Sequence, residues 1–111
     1  MKPEPTILIT SVSNGHDAAN LAGQLIEFSL AACVTRLPQG ISHFKWEGKI
    51  CTENEEILLI KTDRVKIGEI KDFFKNHHPY STPEIIAINA TIEHEGYLQW
   101  FKDSLYPKKS S

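Results

Sequence analysis

The chain has 111 residues, 41% of them hydrophobic and 23% charged, which is the size and composition of one ordinary globular domain. Its formal net charge of −2 comes from acidic and basic residues mixed along the sequence, so neither a nucleic-acid surface nor an acidic disordered tail is indicated. The apolar runs are too short to span a bilayer, and the N-terminus lacks the apolar segment of a secretory signal. We expect a single domain over residues 1–111, ordered from about 6 to 105, in a cytoplasmic protein that binds neither nucleic acid nor membrane.

The first part of the chain predicts a strand followed by a helix. Thr6–Val12 is a β-rich run without polar alternation, which is typical of an interior strand. Ser13 or Asn14 can cap a helix after it. Apolar residues at helical spacing then predict a helix that reaches about residue 30; they are Ala18, Leu21, Ala22, Leu25 and Phe28.

A long hairpin is predicted next. Extended segments at Ala31–Leu37 and Ile41–Trp46 are separated by a Pro-Gln-Gly interruption, and a glycine-containing turn leads into a return arm over Lys49–Thr62. Arms of roughly fifteen residues are much longer than the usual strand of about 5–6. Phe44 and Trp46 share one face near the tip and need something to pack on, so the hairpin suggests an oligomer.

The second half repeats the pattern of helix and strand. Thr62 or Asp63 can cap a helix that ends near His77, with a buried stripe of Ile67, Ile70, Phe73 and Phe74. Ile85–Thr91 predicts another strand, and His94 opens a last helix. The order βαββαβ with one extra helix predicts a ferredoxin-like α+β fold, an antiparallel sheet with helices on one face.

No constellation of catalytic residues stands out in the sequence. A GxSxG elbow and a glycine-rich phosphate loop are both absent, so we expect no enzymatic activity. Cys33 and Cys51 lie in predicted strands without a CxxC pattern, and we expect both to be reduced, inert thiols.

The most informative segment is His77-His78-Pro79-Tyr80-Ser81-Thr82-Pro83-Glu84. Imidazoles suit copper, zinc or nickel, and Cys33, Cys51, His43 or Glu84 could supply further ligands from elsewhere or from another subunit. Because adjacent side chains of an extended segment point to opposite faces, the two histidines are not expected to share one metal. The alternative is purely structural: the histidines and the first proline end a helix, and the second proline and glutamate start a strand.

Five motifs occur together in one order, and with them the chain resembles the CutA family of divalent-cation tolerance proteins. The resemblance covers residues 6 to 105. The motifs are Ala31-Ala32-Cys33-Val34, Ser42-x-Phe44-x-Trp46-x-Gly48-Lys49-Ile50, Glu56-Ile57-Leu58-Leu59-Ile60-Lys61-Thr62, His78-Pro79-Tyr80-x-x-Pro83-Glu84-Ile85 and Tyr97-Leu98-x-Trp100.

The resemblance implies a homotrimer of ferredoxin-like subunits, in which long hairpins extend across subunit boundaries. It also implies tolerance to copper and other divalent cations and the binding of Cu²⁺ or another divalent ion, for which the candidate ligands here are His77, His78 and Cys33. Thr10 stands where some members have a cysteine, so a soft ligand is missing. Phe44 stands where the family usually has tyrosine.

Two other functions stay open beside metal tolerance. A trimeric ligand-binding or regulatory module would use a cleft between subunits near Phe44, Trp46, Tyr80 and Glu84. A small enzyme would use His78 and Glu84 as an acid–base pair. A purely structural role for Tyr80 and Glu84, as a link from helix to strand, competes with both functions.

Overall fold

The computed structural model describes residues 2–13 and 15–108, so the candidate helix cap Asn14 lies outside the described residues. Its elements, in chain order, are β1 (Pro5–Val12), α1 (Gly15–Glu27), β2 (Cys33–Trp46), β3 (Lys49–Asp63), a 3₁₀ turn (Arg64–Lys66), α2 (Ile67–His77), β4 (Ile86–Asn89) and α3 (Glu95–Leu105). Within the described ranges, no helix has the length and apolar character that crossing a membrane requires.

The four strands form one antiparallel sheet in the order β2-β3-β1-β4. β1 lies in the middle, where Leu8 faces Ile60 of β3 on one side and Ala87 of β4 on the other. Non-consecutive strands are neighbours because each helix carries the chain across the sheet. The predicted ferredoxin-like α+β arrangement is therefore confirmed.

The two faces of the sheet differ because strand side chains alternate. One face is packed against α1 and α2 and holds the main core, which includes Leu8, Val12, Leu21, Leu25, Leu58, Ile60, Ile70 and Phe74. Buried and half-buried residues alternate along β3, and this alternation places Lys61 on the face that the helices do not cover. Ile7 of β1 and Cys33 of β2 are both paired with Lys61, so these three residues lie side by side on that face. A smaller cluster joins α3 to the start of β2 through Phe101, Leu105 and Ala32.

The hairpin has about the predicted length, with arms of 14 and 15 residues, and is more continuous than the sequence predicted. β2 runs through the Pro-Gln-Gly segment because a bulge between Leu37 and Gly40 absorbs the extra residues, with Gln39 at φ 64°. A Cβ on Gly40 would lie 2.7 Å from the carbonyl oxygen of Glu55, so the close approach of the two arms requires glycine. At the tip, Glu47 and Gly48 both have positive φ, as in a type I′ turn, which confirms the predicted tight turn.

Two predicted elements are too long. α1 ends at Glu27, since Ser29 adopts a left-handed φ of 55° and the Leu30 amide turns back to bond the Leu25 carbonyl. Phe28 therefore leaves the buried stripe; it is 56% exposed. The last strand covers only Ile86–Asn89, because its partner β1 pairs with it only from Thr6 to Ile9.

Candidate functional site

The histidine-containing segment is the connector between α2 and β4, and it begins where α2 ends. The amide of His78 bonds the carbonyl of Phe74, and its φ and ψ of −77° and 134° are extended. Pro79 follows, and a residue before proline disfavours helical geometry. The chain therefore leaves the helix between the two histidines, which sends their rings in different directions.

His78 points inward, beneath the sheet. Only 8% of it is exposed, and its Nε2 lies 2.9 Å from the hydroxyl of Thr10 on β1. Its Nδ1 accepts the backbone N–H of Tyr80 at 3.1 Å, so the proton of the neutral ring is on Nε2 and is donated to Thr10. Burial lowers the pKa of His78, against a smaller opposing effect of the Ser11 carbonyl. Both ring nitrogens are therefore engaged in hydrogen bonds.

His77 points outward, unlike His78, and is exposed. Its ring stacks on Phe73 with centroids 4.0 Å apart, and its Nδ1 donates to the Phe73 carbonyl at 2.9 Å. The side chain is exposed, and Nε2 has no hydrogen-bond partner in the part of the chain that the structure describes. Of the two imidazoles, His77 is the one with a lone pair that faces solvent.

Cys33 is not near the histidines. It pairs with Lys61 at the start of β2, on the face of the sheet turned away from α1 and α2, whereas His78 contacts Thr10 on the helix side. Its sulfur lies 3.8 Å from the Lys61 Nζ and 4.0 Å from the Thr35 hydroxyl. The sheet itself therefore separates the predicted thiol ligand from the predicted imidazole ligands within one chain.

The polar side chains that the structure describes do not form a closed metal site within one chain. Within residues 2–13 and 15–108, no group of three His, Cys, Asp or Glu side chains is close enough to hold an ion. His78 would have to give up a hydrogen bond to coordinate one, and Cys33 lies on the opposite face. His77, His78 and Cys33, the candidate ligands that the resemblance implies, are therefore not brought together in a single subunit.

The connector is tied to the base of the hairpin by Tyr80. Its hydroxyl donates to the Glu55 carboxylate at 2.8 Å. Partial burial and this neighbouring carboxylate raise the pKa of Tyr80 to about 12. Partial burial by itself would raise the pKa of Glu55. Hydrogen bonds from Ser42, Tyr80 and Ser11 stabilise the carboxylate more strongly than burial destabilises it, so the pKa of Glu55 is lowered. Tyr80 is thus a donor to a stabilised anion.

The other predicted cleft residues are spread over the molecule. Phe44 and Trp46, 42% and 59% exposed, lie at the hairpin tip. The tip is about 20 Å from Glu55 at about 3.3 Å per residue, so Trp46 and Tyr80 of one chain cannot line one pocket. Glu84 is exposed and makes no hydrogen bond with His78, so the proposed acid–base pair is not assembled. A cleft that contains all four residues requires a second subunit.

Sequence reasoning missed a polar cluster where β1 meets the hairpin. Arg36 donates from Nε to Glu56 at 2.6 Å and from Nη2 to the Gly15 carbonyl at 3.3 Å, which joins the hairpin to the start of α1. Glu55 and Glu56 are adjacent acidic residues of β3. Successive side chains of a strand point to opposite faces, so two adjacent acidic residues need polar partners on both faces of the sheet. The pair of charges beside apolar Ile57 could therefore have indicated the polar cluster.

Comparison with known proteins identifies the family. Residues 6–104 match the family described as CutA1 divalent ion tolerance protein. The chain is 35% identical over 103 residues to the divalent-cation tolerance protein CutA of Salmonella newport, which covers 93% of this chain and 90% of that protein. It is also 35% identical over 104 residues to the chloroplastic protein CutA of Arabidopsis thaliana, but it spans only 57% of that relative's length.

Solved structures agree with this assignment. CutA1 from Oryza sativa has a TM-score of 0.89 at 34% identity, over 97% of this chain and all 100% of that one. The divalent cation tolerance protein from Thermus thermophilus has a TM-score of 0.85 at 31% identity, over 90% and 97% of the two chains. The sheet order, the long hairpin and the co-linear motifs have the same explanation: the chain belongs to the CutA1 family of divalent ion tolerance proteins.

Proposed function

We propose that this protein acts in divalent-cation tolerance as a homotrimer that binds copper or another divalent cation through His77. Family membership over residues 6–104 carries the proposal, since the related proteins are named for tolerance to divalent cations. Imidazole is a good ligand for copper, and the Nε2 of His77 faces solvent without a protein partner among the described residues.

Trimer formation would supply what one chain lacks. A single exposed imidazole binds a divalent ion weakly, because tight sites use three or four ligands. Three copies of His77, or one copy with an acidic or thiol group of a neighbouring subunit, would complete a ligand set. His78 serves in this proposal as the group that fixes the end of α2, with Thr10 and Tyr80 as its partners.

Calorimetric titration with Cu²⁺ of protein without any affinity tag tests the site. We expect saturable binding that is lost in His77→Ala and kept in His78→Gln, provided that circular dichroism shows both variants folded. Unchanged binding in the double variant would exclude the connector as the metal site. Binding that is lost only in His78→Gln would assign the metal to the buried imidazole instead.

A second candidate function is a trimeric small-molecule-binding or regulatory module without a physiological metal role. The bond from Tyr80 to Glu55 favours it, because it holds a polarised phenol and carboxylate beside the hairpin that would reach a neighbouring subunit. A thermal-shift comparison of divalent metals with nucleotides and metabolites discriminates the two functions. A large shift with an organic ligand and none with copper would support the module.

A further inference from the structure

The last helix, α3, is packed on a small apolar cluster of its own. Phe101 and Leu105 pack with Ala32, apart from the main core between the sheet and the other two helices. Among the residues that the structure describes, the hydrogen bonds made by residues 94–108 join partners at most four positions apart, with one exception. That exception therefore has a large share in fixing the position of α3.

The exception is a hydrogen bond from the end of α3 to the end of β3. The Tyr106 hydroxyl donates to Oδ2 of Asp63 at 2.6 Å, 43 positions earlier in the chain. Tyr106 is the C-cap of α3, where its amide bonds the Lys102 carbonyl. Pro107 follows and cannot continue the helix. The phenol thus fastens the helix at the point where it ends.

The acceptor of this bond is a buried carboxylate. Asp63 is 1% exposed, and its Oδ1 accepts the amides of Glu4 at 3.0 Å and Val65 at 3.4 Å. Within the described part of the chain, no cation lies within ion-pair distance of Asp63. A buried charge without a paired cation depends on its hydrogen bonds, and an O–H···O⁻ bond of 2.5–2.7 Å is a strong, charge-assisted one. Tyr106 therefore supplies an important donor to Asp63.

The surroundings of Tyr106 keep it in the donor form. Partial burial and the bond to Asp63 both raise the pKa of Tyr106, so the hydroxyl keeps its proton at neutral pH. The Lys66 ammonium lies 4.7 Å from the centroid of the phenol ring, where a cation is attracted to the ring face. The side chain is thus held at both its ring and its hydroxyl.

We propose that Tyr106 and Asp63 form a latch whose opening releases α3 as a unit while the sheet and the main core stay folded. Proteins open locally in cooperative units, and a unit with few tertiary contacts opens most easily. When the latch opens, Asp63 keeps the two amide donors that join the start of β1 to the end of β3. The latch is independent of the proposed metal function, because it lies before the start of α2 and His77 ends that helix.

Hydrogen–deuterium exchange of the full chain, followed by mass spectrometry, tests the latch. In Tyr106→Phe we expect the amides of α3 to exchange about tenfold faster than in the parent protein, which corresponds to about 1.4 kcal/mol. The amides of β1 and β3 should keep their parental rates. Tyr97→Phe is the matched control, since it removes a hydroxyl from the same helix that has no bond to the described residues, and its exchange should be parental.

A second variant shows whether Tyr106 acts through Asp63. Asp63→Asn keeps an oxygen for the two amides but removes the charged acceptor, so adding Tyr106→Phe to it should accelerate exchange in α3 by no more than about threefold, because a neutral hydrogen bond is roughly half as strong. Comparison of the two single tyrosine variants decides the proposal even where Asp63→Asn does not fold.

Three exchange results would overturn the latch: parental exchange of α3 in Tyr106→Phe, equal acceleration of β1 and β3, or an undiminished effect of Tyr106→Phe in the Asp63→Asn background. Light scattering adds a fourth. Faster exchange of α3 together with a loss of assembled mass would assign Tyr106 to a subunit contact instead.

Discussion

At the scale of single residues, two adjacent histidines have opposite environments. His78 is buried and bonded at both nitrogens, whereas His77 is exposed and bonded at one. For His78 to bind a metal through Nδ1, it would have to release the Tyr80 amide, and an unpaired buried donor costs about 1–3 kcal/mol. The energetic cost therefore falls on His78, which makes His77 the easier ligand of the pair.

The burial of His78 predicts that the stability of the protein depends on pH through the titration of this residue. Its pKa is lowered in the folded protein, so below about pH 6.5 the unfolded chain takes up a proton that the folded chain resists. The free energy of unfolding should therefore fall as the pH drops from 7.5 to 5.5, measured by urea denaturation. His78→Gln should flatten this slope. A His78→Gln variant with the full parental slope would show that another group is responsible.

At the scale of elements, the connector holds the hairpin at its base through one side-chain bond. Tyr80 reaches from the α2–β4 connector to Glu55 on β3, 25 positions earlier in the chain. Tyr80→Phe removes only the hydroxyl and leaves the Glu55 carboxylate with one donor fewer. We expect a loss of about 1–2 kcal/mol in the free energy of unfolding, because the bond is to a charged group but is only partly buried.

Chemical denaturation measures that loss, and Tyr97→Phe is its matched control. Tyr97 is 40% exposed, and its hydroxyl has no bond to the described residues, so the control should change stability by less than about 0.5 kcal/mol. Equal stability of the two variants would mean that Tyr80 does not anchor the hairpin and that the connector is held by His78 alone.

The elements also show which features a sequence can predict. The β-rich run of Thr6–Val12 and the helical spacing of Leu21 and Leu25 both reflect local burial, so the strand, the helix and the βαββαβ order were predictable. The contact from Thr10 to His78 joins residues 68 positions apart, and local periodicity contains no information about such a pair. The sequence could therefore indicate the connector as important, but not that the sheet would separate its histidines from Cys33.

At the scale of the whole molecule, one chain leaves much apolar surface uncovered. β2 and β4 are both edge strands, and an unpaired edge with apolar side chains tends to pair with another chain. Ile86 and Ile88 of β4 are each 48% exposed, and Ile41 and Trp46 of β2 are 61% and 59% exposed. The longest dimension of the chain is 54 Å against 29 and 23 Å for the others, because the hairpin extends beyond the domain. Such surface is consistent with the proposed trimer.

The last prediction tests whether the hairpin tip is part of that assembly. Trp46→Glu places a charge where a large aromatic side chain would be buried between subunits, and burying an unpaired carboxylate is strongly unfavourable. Light scattering coupled to size exclusion should therefore report monomers or aggregates. Val65→Glu is the matched control: Val65 is 61% exposed in the 3₁₀ turn, away from the hairpin, and its substitution should leave the mass unchanged. A Trp46→Glu trimer with the parental melting temperature would show that the tip projects into solvent and that assembly depends on the strand edges alone.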